Sequence, residues 1–80
     1  MVTLADVKTA IGVTGEYQDD LLQIYVDEVV DFLKDAGVKE SHITTGVVSR
    51  GVLDLWNYGA GNGRLSTYFK ERAAQLAYKN

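Results

Sequence analysis

Apolar residues recur at helical spacing along most of the chain, whereas the alternation typical of strands is weak. The first helix is predicted to begin after Thr3, which suits the N-cap position, and to end at a turn containing Gly12 and Gly15. Its apolar face consists of Leu4, Val7 and Ile11. The pattern therefore predicts a short amphipathic helix at the start of the chain.

A longer helix is predicted from Gln18 to Ala36. Its apolar stripe consists of Leu22, Tyr25, Val26, Val29, Leu33 and Ala36, widened by Leu21 and Phe32. Gly37 suits the C′ position that ends a helix, and Val38 suits the C″ position, from which it can pack against Leu33. This combination is the clearest helix boundary in the sequence.

Two further helices are predicted in the second half of the chain. Thr44 or Thr45 can cap the third helix, and Gly59 ends it. The apolar face of this helix consists of Val48, Val52, Leu55 and Trp56. Gly51 either permits a close helix crossing or is a tolerated cost of up to about 1 kcal/mol relative to alanine. The last helix is predicted from Ser66 to Tyr78, with Phe69, Ala73 and Leu76 facing inward.

These elements predict an all-α fold, a small bundle of three to four helices joined by short loops, over residues 1–80 as one domain. Apolar residues make up 46% of the chain, which is enough for one core, although a core of this size is marginal in stability. The chain has no cysteine and one histidine, His42, which excludes disulfides and zinc sites of the usual kinds. Oligomerisation is the remaining common route to stability.

The charge is distributed unevenly along the chain. Residues 1–40 carry three lysines against nine acidic residues, a net charge of −6, whereas residues 41–80 carry five basic against two acidic residues, a net charge of +3. This asymmetry suits association between copies, and the alternative is that the two halves pair within one monomer. An acidic chain has no electrostatic footprint for tight duplex binding. We expect no signal peptide and no membrane span.

The loop from Gly59 to Gly63 is the one segment that resembles a phosphate cradle. The known phosphate-binding motifs require a preceding strand, and the Walker motif also ends in Gly-Lys-Ser/Thr, whereas this loop follows a helix and continues into Arg64. We therefore interpret it as a helix–helix connection. No nucleophile, base and orienting group can be assembled from the sequence, and the lone His42 is expected to be solvated, so we predict no catalytic residue, no cofactor and no metal site.

Several residues are candidates for an assembly interface. Three aspartates repeat at four-residue spacing on the outer face of the second helix: Asp27, Asp31 and Asp35. This face is either simply solvated, opposed to a basic partner, or the wall of a pore that repels nucleic acid. Four residues of the second half complete the predicted set, because they join aromatic and basic character: Tyr58, Arg64, Tyr68 and Arg72.

The order of these features resembles the small head–tail connector, or adaptor, proteins of tailed bacteriophages, often labelled DNA packaging proteins. A short first helix, LADVKTAIGV, leads to the acidic turn GEYQDD and the long helix LLQIYVDEVVDFLKDAGV. A helix ending in LDLWNYG, a glycine-bearing loop and the closing LSTYFKERAAQLAY follow. The likeness covers most of the chain and depends on the order and spacing of the motifs.

The resemblance implies a structural virion protein made in the bacterial host cytoplasm and located at the head–tail junction. It implies a ring of about a dozen copies beneath the portal protein, which extends the DNA channel without sequence-specific DNA binding and docks the next connector or tail protein. It implies no catalysis. Because each contact would be small and reinforced by ring closure, we predict that the monomer is favoured in isolation.

The alternative is a small helical regulatory module of helix-turn-helix type that binds DNA or protein. Such a module needs basic residues along one exposed helix, and the third helix offers only Arg50. A salt-sensitive shift of DNA in a gel would support this alternative. An enzyme ranks third, since only the glycine loop suggests one.

Overall fold

The structure is a computed structural model that describes residues 2–58 and 65–78, apart from the side chains of residues 57 and 58. The described ranges contain four α-helices: α1 Leu4–Ile11, α2 Asp19–Asp35, α3 Thr45–Leu53 and α4 Thr67–Tyr78. A 3₁₀ helix at Glu40–His42 precedes α3, and a π-helical turn at Asp54–Tyr58 follows it. These ranges contain no strand, which confirms the predicted all-α bundle.

The ends of α1 and α2 follow the sequence signals. The Oγ1 of Thr3 accepts a hydrogen bond from the backbone N–H of Asp6 at 3.2 Å, and Gly12 ends α1 at a φ of +77°. After α2, Gly37 adopts a φ of +92°. The N–H of Val38 then donates to the carbonyl of Leu33 at 3.0 Å, which is the Schellman arrangement predicted at this boundary.

The core lies among all four helices, and α3 packs against both α1 and α2. All four helices, the segment between α2 and α3 and the π-helical turn contribute buried apolar side chains: Val7, Leu22, Val26, Val29, Leu33, Val38, Ile43, Val48, Val52, Leu55, Phe69, Ala73 and Leu76. The rings of Phe32 and Phe69 lie 5.9 Å apart between centroids and join α2 to α4. The predicted inward residues of α4 are all confirmed as buried.

Gly51 occupies the closest approach in this core. A Cβ atom at this position would lie 2.8 Å from a methyl group of Val29 and 2.9 Å from the ring of Phe69. Any larger side chain would therefore force apart α2, α3 and α4, whereas Gly46 in the same helix has open space around it. Of the two interpretations of this mid-helix glycine, the close helix crossing is the correct one.

Three expectations for apolar residues need correction. Leu21 is 40% exposed and Ala36 is exposed, although both were placed on or beside the buried stripe of α2. Leu21 lies about 100° around the helix axis from its buried neighbour Leu22, and Ala36 lies beyond the last residue of α2. Trp56 is only partly buried at the margin of the core, because the chain leaves α-helical geometry at Asp54.

Candidate interaction surfaces

The outer face of α2 is acidic, as the sequence predicts. Asp27, Asp31 and Asp35 are all exposed, and Asp27 accepts a hydrogen bond from the side chain of Gln23 at 2.9 Å. Within residues 2–58 and 65–78, none of the three aspartates lies within 4.0 Å of a basic group. Their charges are therefore available to an external partner.

Two of these aspartates border a groove along α2. The groove has a volume of about 390 Å³ and is lined by Val2, Gln23, Val26, Asp27, Val30, Asp31, Lys34, Glu40 and Ile43. Its apolar floor and acidic rim are suited to a side chain that combines an apolar body with a positive charge. Asp35 does not line the groove, so the structure divides the predicted aspartate series into two members at the groove and one outside it.

A basic and aromatic surface lies where α3 meets α4. The guanidinium carbon of Arg50 lies 5.0 Å from the centroid of the Tyr68 ring, a cation–π contact between the two helices. Arg72 lies one turn further along α4, and its Nη1 is 3.5 Å from the side-chain oxygen of Gln75. A hollow of about 230 Å³ separates the helices here, lined by Gly46, Val47, Arg50, Tyr68, Phe69 and Arg72.

The structure brings together two of the predicted interface residues, Tyr68 and Arg72, and adds Arg50 to them. Sequence reasoning considered Arg50 only as an isolated cation of the third helix, because its contact with Tyr68 depends on how α3 and α4 cross. The side chain of Tyr58, Arg64 and the predicted Gly59–Gly63 connection lie outside the described residues.

A buried carboxylate fixes how α4 starts, and no sequence pattern indicated it. Asp54 is 2% exposed, and its Oδ2 accepts hydrogen bonds from the N–H of Ser66 at 3.2 Å and from the hydroxyl of Ser66 at 2.6 Å. The same hydroxyl oxygen accepts from the N–H of Phe69 at 3.1 Å and so caps α4. This link ties the π-helical turn to the first turn of α4, and thereby positions Tyr68 against α3.

Opposite charges are not paired across the two halves of the described chain. The ion pair found there joins Lys8 to Asp19 at 2.6 Å, and both residues belong to the acidic half. Lys8 also donates a hydrogen bond to the carbonyl of Gly15, so it closes the turn between α1 and α2. Pairing of the halves inside one monomer, the alternative considered from the sequence, is therefore not seen among residues 2–58 and 65–78.

The expectation that His42 is solvated is wrong. His42 lies in the 3₁₀ helix, is partly buried, and its Nδ1 has no hydrogen-bond partner among the described residues. The short helix turns the ring toward the interior, which an unstructured connection would not do. In the part of the chain that the structure describes, no three histidine or acidic residues are grouped so that they could hold a metal ion.

None of the described helices combines the length and the apolar character needed to span a membrane. A family model described as phage gp6-like head-tail connector protein matches residues 1–79. No curated protein and no solved structure matches the chain.

Proposed function

The chain belongs to the family of phage gp6-like head-tail connector proteins, and we propose that it assembles as a ring beneath the portal protein. The family is one of structural, non-enzymatic phage proteins that interact with other head and tail proteins of the virion. Beyond that, our proposal is that the ring extends the DNA channel and docks the next connector or tail protein.

The observation that carries the proposal is the match to the connector family over residues 1–79. Two features of the fold support the ring. The acidic groove of α2 and the surface of Arg50, Tyr68 and Arg72 are different surfaces of opposite charge, and contact between unlike surfaces generates a ring when the rotation between neighbours closes. Their charges are not neutralised within the described part of one chain, so contact between copies would satisfy both.

The charge of the chain also agrees with passage of DNA rather than tight binding of it. The net charge is −3, and the long helix exposes a series of aspartates. A channel for moving DNA should avoid many simultaneous phosphate contacts, because each contact adds affinity and would slow the DNA. An acidic subunit meets this requirement.

The test is electron microscopy of the concentrated protein, alone and mixed with the portal protein of the same phage. We expect closed rings coaxial with the portal, and mostly single subunits when the protein is diluted alone. Portal particles that never acquire density on their tail-facing end would contradict the proposal. Titration with duplex DNA is the companion measurement, and tight binding at physiological salt would favour the regulatory alternative.

A further inference from the structure

The walls of the groove beside α2 are suited to a side chain that is apolar and carries or adjoins a positive charge. Val26 and Ile43 form part of an apolar floor that is at most 9% exposed, and Val2 and Val30 extend that floor toward the surface. Asp27 and Asp31 stand on the rim without a basic partner among the described residues. A ligand of this groove should therefore present an aromatic or aliphatic group flanked by cations.

The surface where α3 meets α4 presents such a group. Tyr68 is 60% exposed, and Arg50 lies over its ring at 5.0 Å, which holds the two side chains together. Arg72 lies four residues after Tyr68 on the same side of α4. Tyrosine and arginine are, with tryptophan, the residue types enriched where protein interfaces gain their binding energy. Arginine also pairs with carboxylates through two parallel hydrogen bonds.

We infer that Tyr68 of one copy, flanked by Arg50 and Arg72, docks in the α2 groove of the next copy, with the two arginines facing Asp27 and Asp31. The inference rests on the proposed ring function and names the surfaces that build the ring. The occupant is a second copy of this chain because one chain carries both the acidic groove and its basic counterpart, and the described residues do not pair the two internally. Each subunit thus uses the groove toward one neighbour and Tyr68 toward the other, which is the heterologous contact a ring requires.

Charge reversal with complementation tests this contact. One variant carries Asp27→Lys and Asp31→Lys, and the other carries Arg50→Glu and Arg72→Glu. Each variant alone presents like charges at both surfaces, so we expect association measured by analytical ultracentrifugation to weaken by about tenfold or more. In an equal mixture, the groove of each variant again meets a surface of opposite charge, and we expect association to return in alternating order.

Controls matched to the single substitutions Asp31→Lys and Arg72→Glu keep the charge change and move it away from the contact. Glu28→Lys alters α2 outside the groove, and Lys70→Glu alters α4 outside the basic surface, and both native residues are exposed. We expect the controls to associate like the original chain. Equal weakening by controls and by the groove variants, or failure of the mixture to recover, would overturn the inference. Circular dichroism confirms that every variant retains its helices.

Disulfide trapping supplies an independent readout, because the chain has no cysteine of its own. A chain with Asp31→Cys and a chain with Tyr68→Cys, mixed under mild oxidation, should form a mixed dimer. Ala74→Cys, exposed on α4 but outside the basic surface, should cross-link to Asp31→Cys at least about fivefold less.

The two experiments separate failure of this contact from failure of the ring itself. Rings on the portal without selective trapping at positions 31 and 68 would overturn the docking contact and leave the proposed function standing. Single subunits in every condition, including with the portal protein, would contradict both.

Discussion

The end of α2 and the start of α4 are both helix boundaries whose free backbone groups need hydrogen-bond partners. The chain supplies these partners in two different ways. At the end of α2, Gly37 and Val38 close the helix with backbone hydrogen bonds to residues within five positions. At the start of α4, Ser66 is held by the buried carboxylate of Asp54, twelve residues earlier. The first boundary is local, and the second depends on the folded bundle.

This difference matters for the interaction surfaces. Six of the nine residues that line the acidic groove lie on α2, whose C-terminal end is set by local signals. Tyr68 and Arg72 lie on α4, whose position depends on Asp54 and on the crossing at Gly51. Disruption of these two long-range contacts should therefore displace the residues of the basic surface before those of the acidic groove.

The largest expected effect follows from filling the crossing at Gly51. In Gly51→Val, the new side chain overlaps Val29 and Phe69, and overpacking of this kind destabilises by about 3 kcal/mol at the upper end of the usual range. We expect the melting temperature to fall by more than about 12 °C. Gly46→Val is the matched control because nothing lies within 4 Å of its Cβ position, and similar losses in both variants would contradict the close crossing.

A second prediction concerns the carboxylate that holds α4. Asp54→Ala leaves the N–H and hydroxyl of Ser66 without their acceptor, at a cost of about 2 kcal/mol. Hydrogen exchange should show greater loss of protection at Phe69 and Lys70 than at Val38. Asp54→Asn retains an acceptor oxygen and should recover part of the loss. An even loss of protection across all four helices would show that the link acts on overall stability and does not position α4 in particular.

The smallest expected effect is at the local boundary. Gly37→Ala forces alanine into a left-handed conformation at φ +92°, which costs about 1 kcal/mol, while the added methyl group finds ordinary contact distance to Ala77. Gly37→Asn should lower the stability less than Gly37→Ala, since asparagine tolerates this conformation better. Denaturant titration of the three chains gives the free energies of unfolding. If the free energy of unfolding fell more in Gly37→Ala than in Asp54→Ala, the ranking of long-range contacts above local contacts would be wrong.

The sequence predicted best what local chemistry decides. The cap at Thr3, the glycine turn after α1 and the close of α2 at Gly37 each follow from residues within a few positions, and all three are confirmed. Helical spacing likewise identified the buried residues of α4, since an amphipathic helix has only one face to bury. The cap of α3 at Thr44 agrees with the same reasoning. The last helix was predicted to begin at Ser66, and in the structure Ser66 is the residue that precedes α4 and caps it.

What the sequence did not show depends on contacts between distant segments. The burial of Asp54 follows from the π-helical turn and from Ser66 reaching back to it, and no pattern around position 54 distinguishes it from a surface aspartate. The groove on α2 and the contact of Arg50 with Tyr68 also require three-dimensional packing. For the candidate interface, Asp27, Asp31, Tyr68 and Arg72 were named from the sequence, whereas their arrangement as one acidic groove and one basic, aromatic surface was not.

The π-helical turn at Asp54–Tyr58 has a consequence for how this chain can diverge from its relatives. A π turn accommodates one residue more than an α turn over nearly the same rise along the axis. Deleting one residue there would restore regular α-helical geometry, and because the wider turn absorbs the extra residue, the chain beyond it would keep nearly the same orientation around that axis. The segment is thus a point at which a relative can differ by one residue in length without changing the direction in which the chain leaves α3.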